Sequence, residues 1–199
     1  MRWLVVDGID GSGKNTLAHV LKQWYEDKGH ETIIMQHPSD RLAGRMSRRS
    51  LQSEGRIMRT FASIFYITDV LISVSELRKL KKTDKTVIFV RYLMGTAYLP
   101  ERLVEFGYDL FAKILPLTRS MMLIDIQPEV ASMRIRSRED AKEMFEDIES
   151  LREARRKVIR LSSKGWTVIE NSGDMEVSKK AIVDAVERWE AEDATLYPR

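Results

Sequence analysis

The 199-residue chain contains no cysteine. Disulfide bonds and cysteine-based zinc sites are therefore excluded, and one common mark of a secreted protein is missing. The chain also lacks any apolar run near the length of about 18–20 residues that a membrane-spanning helix needs. The apolar run in the first segment, MRWLVVDGIDG, is too short for a signal peptide and leads directly into a glycine-rich motif. We expect a cytoplasmic protein with no membrane partner.

A strong excess of one charge is also missing, because the net charge is only +3. Arginines nevertheless cluster in three regions, 41–59, 134–138 and 152–160. Clustered arginine is typical of nucleic-acid sites and of sites for small phosphorylated ligands. Acidic residues interrupt most of these runs, which equally favours solvated helix faces. No nucleic-acid-binding motif is present, so we expect no nucleic-acid partner.

Short β-rich runs alternate with longer helical patterns, an order typical of a parallel α/β sheet. The strands predicted from apolar and β-branched runs are 2–7, 32–36, 86–91, 120–125 and 166–170. The predicted helices are 14–28, 55–81, 101–114, 128–138, 146–164 and 175–192. No repeat, low-complexity tract or linker divides the chain. We predict one domain over 1–199, with a charged segment at about 138–147 that is either a mobile flap or a polar helix end.

The most specific motif is GIDGSGK at 8–14, which fits G-x-x-x-x-G-K between a predicted strand and a predicted helix. Glycines let successive backbone N–H groups point at one anion, and the N-terminus of the helix adds partial positive charge. Lys14 supplies an ammonium group for the β- and γ-phosphates of a nucleotide. The motif predicts a phosphate-binding loop whose contacts come from Gly8, Gly11, Ser12, Gly13, Lys14, Asn15 and Thr16.

Asn15 departs from the usual pattern, because the residue after the loop lysine normally offers a hydroxyl to Mg²⁺. An amide oxygen is also a hard ligand, so Asn15 is a candidate magnesium ligand. Two other arrangements stay open. Mg²⁺ can rest on phosphates and water alone, and Asn15 can be a first-turn helix residue with no metal role. The hydroxyl of Thr16 is displaced by one position.

Three segments together resemble thymidylate kinases. VVDGIDGSGKNTL (5–17) resembles the start of that family, whose loop reads approximately G-x-D-G-x-G-K-[ST]-T after a strand. VIFVRYLMGTAYL (87–99) resembles its D-R-[YF]-x-x-S-x-x-A-Y segment, and LIDIQPEVASMRIRSRED (123–140) resembles its fourth strand, proline-started helix and arginine-bearing lid. The remaining helices and the last strand follow in the same order, so the resemblance covers most of the chain.

This resemblance implies the P-loop NTPase fold, with a five-stranded parallel sheet flanked by helices and a short lid. It also implies transfer of the γ-phosphoryl group of ATP, with Mg²⁺, to a nucleoside monophosphate. Asp10 matches the loop aspartate that receives the 3′-hydroxyl of the acceptor sugar, and Lys14 matches the catalytic lysine. Arg91 matches the arginine beside the acceptor phosphate, and Tyr98 matches the aromatic residue of A-Y. The lid arginine that closes over ATP is expected among Arg134, Arg136 and Arg138, of which Arg138 is assigned to catalysis.

Two departures from the family pattern lie after predicted strands. Val90 replaces the aspartate of D-R-Y, which helps to organise the metal or its waters, and valine can do neither. Gln36-His37-Pro38 replaces the family's R-E-P, and His37 cannot copy a glutamate. Arg41 then either takes over contact with the acceptor phosphate or remains a solvated loop arginine.

Further departures lie on the long predicted helix. Tyr66 falls where the family has a phenylalanine that stacks on thymine, and it can stack on the acceptor base or pack in the core. Val70 falls where the family has an arginine that binds the thymine O4, and valine cannot donate a hydrogen bond. Asp69 can contact the acceptor base or sugar, or form an ion pair. Losing one such contact can shift or relax base specificity.

The sequence therefore predicts an ATP-dependent nucleoside monophosphate kinase that acts on dTMP or a related monophosphate. Two alternatives stay open: a small-molecule kinase with another acceptor, and a nucleotide-binding protein with weak chemistry, to which Asn15 and Val90 both point. The apolar helix at 55–81 fits either a homodimer interface or burial within one chain.

Overall fold

The computed structural model describes residues 1–51, 56–137 and 148–196. Within these ranges, one five-stranded parallel sheet has the order β2-β3-β1-β4-β5. Its strands are β1 (Arg2–Asp7), β2 (Thr32–Gln36), β3 (Thr86–Val90), β4 (Met121–Asp125) and β5 (Thr167–Glu170). The helices are α1 (Lys14–Asp27), α2 (Leu42–Leu51), α3 (Arg56–Leu80), α4 (Val104–Ile114), α5 (Pro128–Arg136), α6 (Ile148–Ser162) and α7 (Met175–Leu196). The predicted α/β fold with a five-stranded parallel sheet is confirmed.

Alternate side chains of the central strand pack on opposite faces of the sheet. Leu4 and Val6 belong to a core that is shared with α1 and α7, whereas Val5 belongs to a second core that is shared with α3, α4 and α6. Every residue of β3 and β4 is buried. Because both faces of the sheet are covered, each fully buried aliphatic side chain contributes about 1.5–3 kcal/mol to stability.

The predicted and observed elements differ mainly between β2 and α3. Residues 42–51 were not predicted to be helical, yet they form α2, which packs against α3. The segment holds a glycine and only four apolar residues among serines and arginines, and two of the four, Leu42 and Met46, are exposed. The predicted lid at 138–147, with Arg138, lies outside the described residues. No helix in the described ranges has the length and apolar composition needed to cross a membrane.

The order of the strands determines where the site forms. β1 lies at the centre of the sheet, with β3 on one side and β4 on the other. Strand order reverses at β1, and ligands of open parallel sheets bind at such a point, beyond the carboxyl ends of the strands. The loop that follows β1 is the predicted phosphate loop, so the fold brings this motif to the expected position.

Candidate active site

The phosphate loop connects β1 to α1, and its backbone requires glycine at two positions. Gly11 and Gly13 have φ angles of 77° and 82°, in the left-handed region that side chains disfavour. A Cβ atom on Gly11 would lie 2.7 Å from the carbonyl oxygen of Ala131 in α5. On Gly13 it would lie 2.6 Å from Nδ2 of Asn171, which follows β5. The loop is therefore enclosed by two neighbouring elements that leave no room for a side chain.

Buried polar atoms without a partner surround this loop. Among the described residues they include Ser12 Oγ, Arg134 Nη1 and Asn171 Oδ1. Arg134 Nη1 lies 3.6 Å from the position that a Cβ atom on Gly13 would take. A buried polar group that lacks a hydrogen bond costs about 1–3 kcal/mol. The hydroxyl and the guanidinium can both donate to an anion, so these two groups fit a bound phosphate group.

Lys14 lies at the start of α1 with its ammonium group directed into the loop. Its Nζ donates to the carbonyl oxygen of Ile9 at 2.9 Å and lies 3.5 Å from Oδ1 of Asp10. Burial, followed by the nearby guanidinium of Arg91, lowers the pKa of Lys14 from 10.5 to about 8. Phosphate oxygens close to this group would favour its charged form and raise the pKa again.

Arg91 and Asp10 bring the loop after β3 against the phosphate loop. The guanidinium of Arg91 donates from Nη2 to Oδ1 of Asp10 and forms an ion pair with it. Arg91 has a φ angle of 61°, which is unusual for a residue with a side chain. Its backbone N–H donates to the carbonyl oxygen of Val6 at 3.3 Å. The two residues predicted to contact the acceptor thus lie together beside Lys14.

Asp7 is a site residue that the sequence analysis did not identify. Its buried carboxylate accepts four backbone hydrogen bonds, from the N–H groups of Gly8 (2.9 Å), Tyr92 (2.8 Å), Leu93 (3.1 Å) and Met94 (3.0 Å). It therefore joins the start of the phosphate loop to the turn that follows Arg91. The available signal was an acidic residue that ends an otherwise apolar strand.

A cavity of ≈ 320 Å³ opens beside Asp10 and Arg91. Tyr66 and Tyr98 also line it, and most of its remaining wall is apolar. The volume falls within the range of about 300–1,000 Å³ that is typical of small-molecule sites. The Tyr66 hydroxyl is buried without a partner, and burial raises the pKa of Tyr66 well above its usual value. Four of the predicted substrate-binding residues thus share one cavity.

Arg41 and Asp69 lie together and do not line this cavity. Asp69 is buried and accepts hydrogen bonds from the N–H (2.6 Å) and Oγ (2.5 Å) of Ser39. Arg41 lies 3.5 Å from Asp69 and donates to Glu76 at 2.6 Å. Arg41 lines a different cavity, of ≈ 330 Å³, at the edge formed by β2. These contacts match the ion-pair interpretation of Asp69, and direct substrate contact by either residue stays a prediction.

Two valines at positions where the family has polar residues are buried. Val90 is the last residue of β3 and packs in the core, and Val70 in α3 is 2% exposed. Neither side chain offers a hydrogen bond to a ligand. Position 90 thus lacks the carboxylate, and position 70 lacks the guanidinium, that the resemblance would lead one to expect there.

The remaining predicted ligands of the nucleotide differ in position. Asn15 and Thr16 are exposed in the first turn of α1, where both side chains offer a hard oxygen to a cation. Arg136 is exposed in the last turn of α5, and Arg138 lies outside the described residues. In the described part of the chain, no group of three histidine or acidic side chains could hold a metal ion. A Mg²⁺ ion with few protein ligands and several waters fits this arrangement.

Comparison with known proteins points to a single family. The family model described as thymidylate kinase matches residues 6–182. A probable thymidylate kinase of Pyrococcus horikoshii is 28% identical over 170 residues, which cover 80% of this chain and 82% of that protein. A probable thymidylate kinase of Archaeoglobus fulgidus is 26% identical over 190 residues, covering 94% and 95%. A thymidylate kinase of Leptospira borgpetersenii is 27% identical over 170 residues, covering 81% and 82%.

Proposed function

The chain belongs to the thymidylate kinase family, and we propose that it transfers the γ-phosphoryl group of ATP to dTMP or a closely related nucleoside monophosphate. The names of its relatives support dTMP as the acceptor. The observation that carries the proposal is the location of the Arg91–Asp10 pair. Asp10 belongs to the phosphate loop, Arg91 follows β3, and both line a mostly apolar cavity, so an acceptor phosphate held by Arg91 would lie next to a donor nucleotide.

The phosphate loop is the proposed donor site. Its amides, Lys14 and the buried donor groups of Ser12 and Arg134 would hold the phosphates of ATP. Mg²⁺, which Asn15 would help to hold, supplies further positive charge on phosphate oxygens. Phosphoryl transfer needs positioning and positive charge rather than a covalent nucleophile, and this loop provides both.

The cavity is the proposed acceptor site. Arg91 would bind the acceptor phosphate, and Asp10 would accept a hydrogen bond from a sugar hydroxyl. Tyr66 and Tyr98 would flank the base, whose planar faces suit the apolar wall. Because Val70 carries no donor, discrimination between bases depends on other groups than in the family pattern.

A screen of acceptors tests this proposal. ADP release is measured with dTMP, dUMP, dCMP, AMP, GMP and small alcohols at fixed ATP and Mg²⁺. We expect turnover with dTMP or a close relative well above the rate without acceptor. Arg91→Ala should raise the KM for the acceptor at least about tenfold, because a charge-assisted contact is lost. Arg119→Ala lies just before β4, at the amino ends of the strands and so opposite the site, and should change neither the KM for the acceptor nor the KM for ATP.

Background turnover with every monophosphate, together with normal ATP binding, would contradict the proposed reaction. That outcome would favour a second candidate, a nucleotide-binding protein with weak chemistry, to which the buried Val90 and the Asn15 substitution point. Asn15→Ser would then test whether the missing hydroxyl explains the weak chemistry. Recovery of Mg²⁺-dependent ATP consumption in this variant alone would identify the loss of a metal ligand as the cause.

A further inference from the structure

The peptide unit that joins Arg91 to Tyr92 is held at both ends by buried side chains. Its carbonyl oxygen lies 3.0 Å from Nδ1 of His37, and its N–H donates to Asp7 at 2.8 Å. His37 follows β2 and Asp7 ends β1, and these two strands lie on either side of β3. These two hydrogen bonds therefore fix the peptide unit that follows Arg91. The φ angle of Arg91, 61°, is disfavoured for a residue with a side chain.

The hydrogen-bond partners of His37 determine its tautomer. A carbonyl oxygen can only accept, so Nδ1 of His37 carries the hydrogen and Nε2 of the neutral ring accepts. The hydroxyl of Ser73 then donates to Nε2 over 2.8 Å, and Arg41 Nη1 donates to the same hydroxyl over 2.8 Å. Burial lowers the pKa of His37, although Asp69 opposes the shift, and this favours the neutral ring that the pattern needs.

The ring of His37 has little freedom to turn away from this arrangement. It is completely buried and stacks on Phe89, with ring centroids 5.8 Å apart and an angle of 13° between the planes. Tyr66, which lines the cavity, makes an edge-to-face contact with the ring of His37, with ring centroids 6.3 Å apart. A hydrogen-bonded chain thus runs from the partly exposed Arg41 through the buried Ser73 and His37 to the backbone of Arg91.

We propose that His37 is a positioning residue for the acceptor phosphate. By holding the Arg91 carbonyl, it keeps Arg91 in the left-handed conformation that directs the guanidinium at Asp10 and the cavity. Arg41 acts in this scheme through Ser73 and the ring rather than by touching the acceptor. The identity of the bound ligand rests on the proposed function, whereas the effect on the Arg91 backbone does not.

Two substitutions of His37 separate the roles of its nitrogen atoms. The side-chain amide of asparagine reaches the position of Nδ1, and that of glutamine reaches the position of Nε2. His37→Asn can therefore keep the hydrogen bond to Arg91 and lose the one to Ser73. His37→Gln can keep the contact with Ser73 and lose the one to Arg91. Crystal structures of both full-length variants report the φ angle of Arg91 and its pairing with Asp10.

We expect Arg91 to stay left-handed and paired with Asp10 in His37→Asn, and to leave this conformation in His37→Gln. In kinetics, His37→Gln should raise the KM for the monophosphate about 5–10-fold, the usual scale for one lost buried hydrogen bond, and leave the KM for ATP within about twofold. His37→Asn loses only the contact with Ser73, so it should raise the acceptor KM by no more than Ser73→Ala does and by less than His37→Gln, with the KM for ATP within about twofold. Ser73→Ala should raise only the acceptor KM, and Ser75→Ala, exposed on the same helix, serves as its control.

The role of His37 is overturned if Arg91 keeps its φ angle and its partner in His37→Gln. It is also overturned if both His37 variants raise the two KM values together, in step with a lower melting temperature, because that result describes a purely structural residue. If the wild-type protein turns over no monophosphate, the proposed function fails. The two variant structures then still decide whether His37 sets the conformation of Arg91.

Discussion

Asn171 donates a hydrogen bond from Nδ2 to the carbonyl oxygen of Ser12 over 2.7 Å, across 159 positions of the chain. This bond joins the end of β5 to the middle of the phosphate loop. The same amide nitrogen lies where a side chain on Gly13 would have to go. The conformation of the loop thus depends on a residue from the opposite end of the sequence as well as on its own glycines.

Substitution of Asn171 should weaken ATP binding in two separable ways. Asn171→Ala removes the hydrogen bond, and we expect a loss of about 1 kcal/mol, or roughly fivefold in affinity. Asn171→Asp removes the donor and also brings negative charge close to the phosphates, so its loss should be at least about tenfold. Calorimetric titration with ATP measures both. Equal affinity of wild type and Asn171→Asp would show that the residue does not support the loop.

Gly11→Ala should abolish ATP binding and lower the melting temperature. The added Cβ would meet the backbone carbonyl oxygen of Ala131 at 2.7 Å, and backbone cannot move aside as a side-chain end can. Gly165→Ala is a matched control, because Gly165 also has a positive φ angle, 94°, but nothing lies within 4 Å of the added atom. The control should lose about 1–2 kcal/mol of stability from backbone strain alone and bind ATP normally.

A larger effect of Gly165→Ala than of Gly11→Ala on either property would contradict the packing around the loop. Nucleotide titrations and thermal unfolding of the two purified variants, measured side by side, give both comparisons.

Nucleotide binding should be coupled to proton uptake by Lys14. The pKa of Lys14 is lowered to about 8 in the protein, so at pH 8.5 a substantial fraction of the free protein carries a neutral lysine. Phosphate oxygens favour the charged form, so binding should draw a large fraction of one proton from the buffer. Affinity should consequently fall as the pH rises above about 8. Calorimetry at pH 8.5 in two buffers of different ionisation enthalpy measures the uptake.

Lys14→Met is the control for this coupling, because it retains a chain of similar length without an ionisable group. Any remaining binding by this variant should release the same heat in both buffers. The assignment to Lys14 is contradicted if the wild-type protein also shows no dependence on the buffer.

Asp7→Asn should destabilise the fold even though it changes only one atom of the side chain. The carboxylate accepts four backbone N–H bonds, three of them at Oδ2. The amide oxygen of asparagine can keep the three bonds made at Oδ2, but its nitrogen then faces the N–H of Gly8 and cannot accept from it. The three bonds that remain also lose the charge of the acceptor, so we expect a loss of about 2–4 kcal/mol in the free energy of unfolding. Denaturation by urea measures it. Asp109→Asn, which breaks an exposed ion pair with Lys164, should change the free energy little, and equal losses in both variants would contradict this role of Asp7.

Sequence patterns predicted the parts of the fold that depend on local burial. The five strands follow from short apolar runs, and the phosphate loop follows from glycines and a lysine at fixed spacing. Helix α2 was missed, because it is short and holds only four apolar residues among its arginines and serines, and its packing against α3 comes from a later segment. Local periodicity reports on burial, whereas this helix is stabilised by its contact with the helix that follows it.

The missed site residues share a similar cause. Asp7, His37 and Asn171 each directly end or follow a strand, and each bonds to a backbone group far away in sequence. Their partners become neighbours only through the order of the strands in the sheet. A polar residue at the carboxyl end of a buried strand was the available signal, but it does not reveal which backbone group the residue will hold.

The most direct test of the central claim follows the phosphoryl group itself. ATP labelled with ³²P at the γ-position is incubated with the protein, Mg²⁺ and dTMP, and the nucleotides are separated by chromatography. We predict label in dTDP with the wild-type protein and none with Lys14→Ala. Label found only in unreacted ATP or in inorganic phosphate, with no labelled diphosphate formed from dTMP or, in parallel incubations, from the other monophosphates, would contradict phosphoryl transfer at this site.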